Sequence, residues 1–249
     1  MSTTKQSPHG TYRKTAISVG VLFIIATILN VLGNSLLKPF LDAPDYLISI
    51  SANENQVIIG SLLVLLSAFA CAGIAIGLYP VLRKHNEALA LGSVGFRVME
   101  GMLYLVAVVS VLSLLTLSQE YVRAGASNAS LFQMSGTILL AIKTWAGELG
   151  VIAFMLGALM YYYVFYQSKF IPRWLSGWGF IGAAFSLAAT LLVIFGQLIP
   201  FSTVFILLHL PIGLQEYVLA VWLIVKGFNP SAVVSLSAKT ATKELLSAA

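Results

Sequence analysis

Six apolar runs, each long enough to cross a bilayer, dominate this chain of 249 residues. A helix needs roughly 20 residues to span the hydrocarbon core. The runs lie at 15–34, 57–82, 88–118, 136–166, 174–197 and 203–226. In lipid every backbone N–H and C=O must find its partner within the protein, and a helix does this alone. The sequence therefore predicts an all-α fold, a polytopic membrane bundle of six transmembrane helices. Composition agrees: 59% of residues are hydrophobic and only 9% are charged, against about 25% charged in a soluble domain. Mean hydropathy is +0.92. The transmembrane domain is expected over 15–226, between an N-terminal tail at 1–14 and a flexible C-terminal tail at 227–249.

The net charge of +5 is not spread evenly. Lys5, Arg13 and Lys14 precede the first run. Arg83, Lys84 and His85 join the second to the third, Lys169 and Arg173 join the fourth to the fifth, and Lys239 and Lys243 follow Lys226. The alternate connections carry Lys38 against Asp42, Asp45 and Glu54, then Glu120 with Arg123, then no charge at 198–202. The positive-inside rule places both termini in the cytoplasm, and an even number of spans agrees. Basic residues gathered in this way do not make a nucleic-acid surface, which needs a basic stripe with interleaved aromatics. The first run reads as a span rather than a signal peptide, since no small-x-small cleavage site follows it. The single cysteine, Cys71, lies within a span, rules out an internal disulfide and is expected to pack as a small apolar residue.

Local punctuation marks the ends of the spans. Asn53 with Gln56 has the spacing of a capping box, Asn86 is placed to cap the third span, and Lys226-Gly227 with Pro230 closes the sixth. Trp174, Trp178 and the run Tyr161-Tyr162-Tyr163 read as an aromatic belt at the membrane boundary. The segment 42–55 reads as a surface loop, with a short interfacial helix through Leu47, Ile48 and Ile50 as the alternative. Gly73 and Gly77 permit a close helix approach. Pro211 interrupts the hydrogen bonding of the last span.

Six ionisable side chains break the apolar runs: Arg97, Glu100, Lys143, Glu148, His209 and Glu216. Charge is expensive in hydrocarbon, so each is expected to face protein, water or an opposite charge. At about 1.5 Å of rise per residue, Glu100, Glu148 and Glu216 fall near mid-membrane, with Arg97 to one side and Lys143 and His209 to the other. Arg97 and Glu100, three apart, share a helix face, as do His209 and Glu216, seven apart. Lys143 and Glu148 are five apart and do not, so Lys143 is expected to pair across to another helix. With His209 neutral the set carries one surplus negative charge. A protonated carboxyl, a protonated His209 or a bound cation would balance it. Thr27, Asn30 and Asn34 form a polar stripe on the first span, expected to bond across helices or to line a cavity.

Familiar catalytic patterns are missing. There is no H-E-x-x-H, no phosphate-cradling glycine loop, and both aspartates lie in one connection. Arg97 and Lys143 among the carboxylates argue against a metal, and no cofactor is expected.

Several stretches in chain order carry a resemblance: Arg13–Thr27, Leu78–Glu87, the G-F-R-V-M-E of Gly95–Glu100, the F-I-P-R-W-L-S-G-W-G of Phe170–Gly179, and Gln215–Phe228. Together they resemble the domain of unknown function 4386 family of bacterial proteins with about six spans. The resemblance implies a bacterial plasma membrane and brings no activity with it. It draws attention to Arg97, Glu100, Pro172, Arg173, Trp174 and Glu216, while Lys143 and Glu148 rest on the physical argument alone. Three readings stay open. The charged set binds or passes a small polar or cationic solute or a proton; it locks helices together in a scaffold or partner subunit; or it serves a lipid-modifying enzyme.

Overall fold

A computed structural model describes residues 8–125, 129–200 and 202–232. These form seven helices: α1 Pro8–Leu41, α2 Tyr46–Ala52, α3 Glu54–Leu82, α4 Glu87–Ala124, α5 Ala129–Ser168, α6 Arg173–Ile194 and α7 Thr203–Val225. No strand occurs among the described residues. All but α2 are long and apolar enough to cross a membrane, six in number. The chain is a multi-pass membrane protein.

The helix ends show why the boundaries fall where they do. The Asn86 side-chain oxygen accepts from Leu89 N–H at 3.0 Å and so opens α4, as expected. Ser202 Oγ does the same for α7, accepting from Phe205 N–H at 3.3 Å. Gly227, at φ 74°, closes α7. Its N–H reaches back to Trp222 O at 3.1 Å, a left-handed turn that glycine adopts without a Cβ clash. α7 continues through Pro211.

Two expectations are corrected here. Asn53 does not use its side chain to cap α3; that side chain donates back to Ser49 O at 2.8 Å. The segment 42–55 is not a surface loop, because α2 buries Leu47 and Ile50 in an apolar cluster with Leu37, Val57, Val111 and Leu114. Apolar residues three apart share a helix face, so this short helix has an inner side. The first helix already begins at Pro8, within the segment expected as the N-terminal tail. The guanidinium of Arg13 donates to Leu223 O at 3.2 Å and Ile224 O at 2.7 Å, at the C-terminal end of α7. A cation there satisfies carbonyls that no intrahelical N–H can reach. At the other end of the chain, Phe228 is buried and Asn229 N–H donates to Phe170 O at 2.8 Å. The rest of the expected C-terminal tail, 233–249, lies outside the described residues.

The chain divides into two compact units. The first comprises 1–24, 72–98 and 152–249; the second comprises 25–71 and 99–151. Helices α1, α3, α4 and α5 each contribute to both.

Close backbone approach builds each unit. In the first, a Cβ on Gly20 would lie 2.7 Å from Ala220 O, and one on Gly182 would lie 2.9 Å from Ile212 N. The expected approach at Gly73 and Gly77 is present, against Leu22 and Val19 of α1. In the second unit, a Cβ on Gly33 would lie 2.8 Å from Gly60 O. Ser67 Oγ donates to Ala26 O at 2.8 Å and Ser110 Oγ to Leu139 O at 2.6 Å. Helices in lipid lack a hydrophobic drive to associate, so small residues and hydroxyl bonds of this kind carry the packing.

Candidate functional site

The six ionisable residues divide three and three between the units: Arg97, His209 and Glu216 in the first, Glu100, Lys143 and Glu148 in the second. Arg97 and Glu100 are both 2% exposed, whereas the other four are half-buried.

In the first unit, the Arg97 guanidinium carbon lies 4.5 Å from the centroid of the Phe154 ring. Gly157 leaves room for its stem, since a Cβ there would sit 3.2 Å from Arg97 Cγ. The ring face supplies negative potential to a cation withdrawn from water. Nearby, Tyr162 donates its hydroxyl to Gln215 Oε1, and Gln215 Nε2 donates to Leu175 O at 3.0 Å. Tyr162 and Gln215 are wholly buried, and this chain of bonds ties α5, α7 and α6 together. The charges of Glu216 and Arg97 both reach Tyr162. Gly179 on α6 is the position that admits the Tyr162 ring.

His209 stacks on Phe205 with ring centroids 4.1 Å apart. Its Nδ1 lies 3.0 Å from Phe205 O. A carbonyl only accepts, so Nδ1 carries a proton in this contact. The Nε2 is buried and has no hydrogen-bond partner among the described residues. His209 and Glu216 lie two turns apart, roughly 10 Å along the axis of α7. Between them, Gly213 has nothing within 4 Å of where a Cβ would stand. This face of α7 therefore presents an imidazole, an open place and a carboxylate in order.

In the second unit, Glu100 on α4 is followed one turn later by Tyr104, whose ring fits against α5 at Gly150; a Cβ there would lie 2.7 Å from Tyr104 Cε1. Lys143 and Glu148 feel one another's charge, and Asp42 and Lys38 also reach Lys143. Among the described residues, neither Lys143 nor Glu148 forms an ion pair. The expected partner for Lys143 on another helix is therefore not there. Asp42 instead pairs with Lys38, one turn before it in the chain. Gly147, one turn beyond Lys143, is open in the same way as Gly213.

Two further expectations change. Asn34 Nδ2 donates to Asn30 O at 3.0 Å and Oδ1 at 3.2 Å, so these two bond along α1 rather than across helices. Tyr161 and Tyr162 are buried, and only Tyr163 faces outward as a belt residue would. Tyr161 packs against Tyr162, with ring centroids 4.4 Å apart. Gln215 is the residue that the sequence reading passed over. Its signal was an amide beside Glu216 inside an apolar run. No group of three or more potential metal ligands occurs among the described residues.

A family model matches residues 18–227, that of the Domain of unknown function (DUF4386), and the chain belongs to this family. No curated protein and no solved structure matches it.

Proposed function

We propose that this DUF4386 member binds, and lets pass, a small polar or cationic solute or a proton at the charged groups within its spans. The observation that carries this reading is the face of α7 with His209, Gly213 and Glu216. An unpartnered ring nitrogen and a carboxylate flank open space at Gly213. A buried ring nitrogen without a hydrogen-bond partner is costly, and a solute or water that supplies the partner relieves that cost. Glu100 and Glu148 are further carboxylates for a proton or cation, and Lys143 guards the approach to Glu148. Both termini would face the cytoplasm of a bacterial plasma membrane, as the charge alternation of the connections supports.

Vesicles containing the purified protein and a trapped pH dye test the proposal under an imposed proton gradient. Glu216→Gln, Glu148→Gln and Glu100→Gln should each slow or abolish proton entry relative to the native chain. Native flux in all three variants rejects the proposal.

Arg97 favours a second role for part of the set. Stacked on Phe154 and seated beside Gly157, it is placed to hold α4 against α5. A scaffold built entirely on such packing would show no flux, with or without the three substitutions.

A further inference from the structure

The end of the first unit where α5, α6 and α7 meet carries a groove unrelated to the charged face of α7. It encloses about 580 Å³, and Lys169, Arg173 and Lys226 stand around it with no carboxylate in its lining. Among the described residues none of the three cations forms an ion pair. Arg173 is steadied by Nε donating to Tyr166 O at 3.4 Å, with its guanidinium carbon 5.2 Å from the Tyr166 ring centroid. Its Nη nitrogens have no protein acceptor among the described residues.

The groove is built by the fold. Phe170 and Phe228 meet at 6.3 Å, and the Asn229 backbone and side chain bond to Phe170 O and Lys169 O. Lys169 sits at φ 58°, just past the end of α5. Glycine is the usual residue in that left-handed place, and a side chain there is strained. A lysine held in it keeps a cation at the rim.

A second groove, of about 400 Å³, shares Trp222 and Lys226 with the first and runs along α7 past Val225, Val221, Val218 and Tyr217. Val221 and Val225 are among the exposed apolar residues. Trp174 packs on both Trp178 and Trp222, with centroids 6.5 Å apart in each case. Tryptophans gather at the headgroup level of a membrane. A cationic cup at that level, opening onto an apolar channel towards the hydrocarbon, has the two-part chemistry of a phospholipid.

We infer that this double groove binds one anionic phospholipid, its phosphate among Lys169, Arg173 and Lys226 and an acyl chain along α7 beside Val221. The apolar half distinguishes a lipid phosphate from a free one. This inference stands apart from the solute reading and does not depend on it.

The test uses the full-length protein, delipidated in detergent. Binding of dioctanoyl phosphatidylglycerol is followed by native mass spectrometry and by the rise in thermal midpoint. Dioctanoyl phosphatidylcholine and inorganic phosphate serve as the other ligands. The double variant Lys169→Asn, Lys226→Gln removes two cations, and asparagine tolerates the left-handed backbone. Its affinity for the phosphatidylglycerol should fall by about fivefold for each charge, roughly 25-fold in all. The pair Arg83→Gln, Lys84→Gln, outside the groove, should change it less than about threefold. Val221→Trp, at an exposed position that leaves the charges in place, should also weaken binding by filling the acyl channel. Native affinity in the double variant or in Val221→Trp overturns the inference. So does equal binding of the phosphatidylcholine, or protection by inorganic phosphate that matches the lipid's.

Discussion

Gln215 and Glu216 are neighbours on α7 with opposite surroundings. Successive helical residues point about 100° apart. Gln215 is consequently buried between Tyr162 and the Leu175 carbonyl, while Glu216 lies on the half-buried face with His209. Gln215→Leu would leave the Tyr162 hydroxyl without its acceptor and cost about 1–3 kcal/mol. Tyr162→Phe should cost a similar amount, and the double variant clearly less than the sum of the two. Thermal unfolding in detergent measures all three, and strict additivity would show that the bond contributes nothing. The six charges were legible in the sequence because charge stands out in an apolar run. Gln215 was not, since an uncharged amide demands less of its surroundings. The three tyrosines at 161–163 misled as a belt, although consecutive helical residues cannot all face lipid. Two turn inward, and only Tyr163 is exposed.

Among the elements, α2 shows most plainly what a short apolar segment does when it has an inner face. Ile50 is fully buried and Ile48 is 50% exposed. Ile50→Ala should cost about 2–5 kcal/mol by opening a cavity, and Ile48→Ala well under 1 kcal/mol. Similar thermal midpoints for both would place α2 outside the packed cluster. Glycines separate in the same manner. Gly182→Ala sets a methyl group against the α7 backbone and should lower the midpoint; Gly213→Ala meets open space and should leave it unchanged or raise it slightly. The order reversed would contradict the packing of α6 on α7. Hydropathy located every long helix but did not reveal which glycines sit at crossings. Gly73 and Gly77 were visible as a spaced pair, whereas Gly33 and Gly60 meet across α1 and α3 from distant parts of the chain. The contact of Arg13 with the end of α7 was hidden for the same reason, since it joins residues more than 200 positions apart.

For the whole molecule, the six spans were legible because a membrane imposes one length and one polarity on every crossing. The division into two units was not, because hydropathy records what leaves water and not which faces meet. The proposed orientation has its own check in a Cys71→Ser background. Lys84→Cys should react with a membrane-impermeant thiol reagent only from the cytoplasmic side, and Asp45→Cys only from the opposite side; the reverse pattern would invert the topology. The central claim is that the face of α7 between His209 and Glu216 is open to water and solute rather than to lipid. In vesicles carrying the same Cys71→Ser background, Gly213→Cys should be modified by the impermeant reagent, while Leu207→Cys, on the exposed apolar side of α7, should stay unmodified. Modification of Gly213→Cys should also block flux. A Gly213→Cys protein that resists the reagent under conditions where Lys84→Cys reacts fully would contradict the claim, leaving the charged face without access to water.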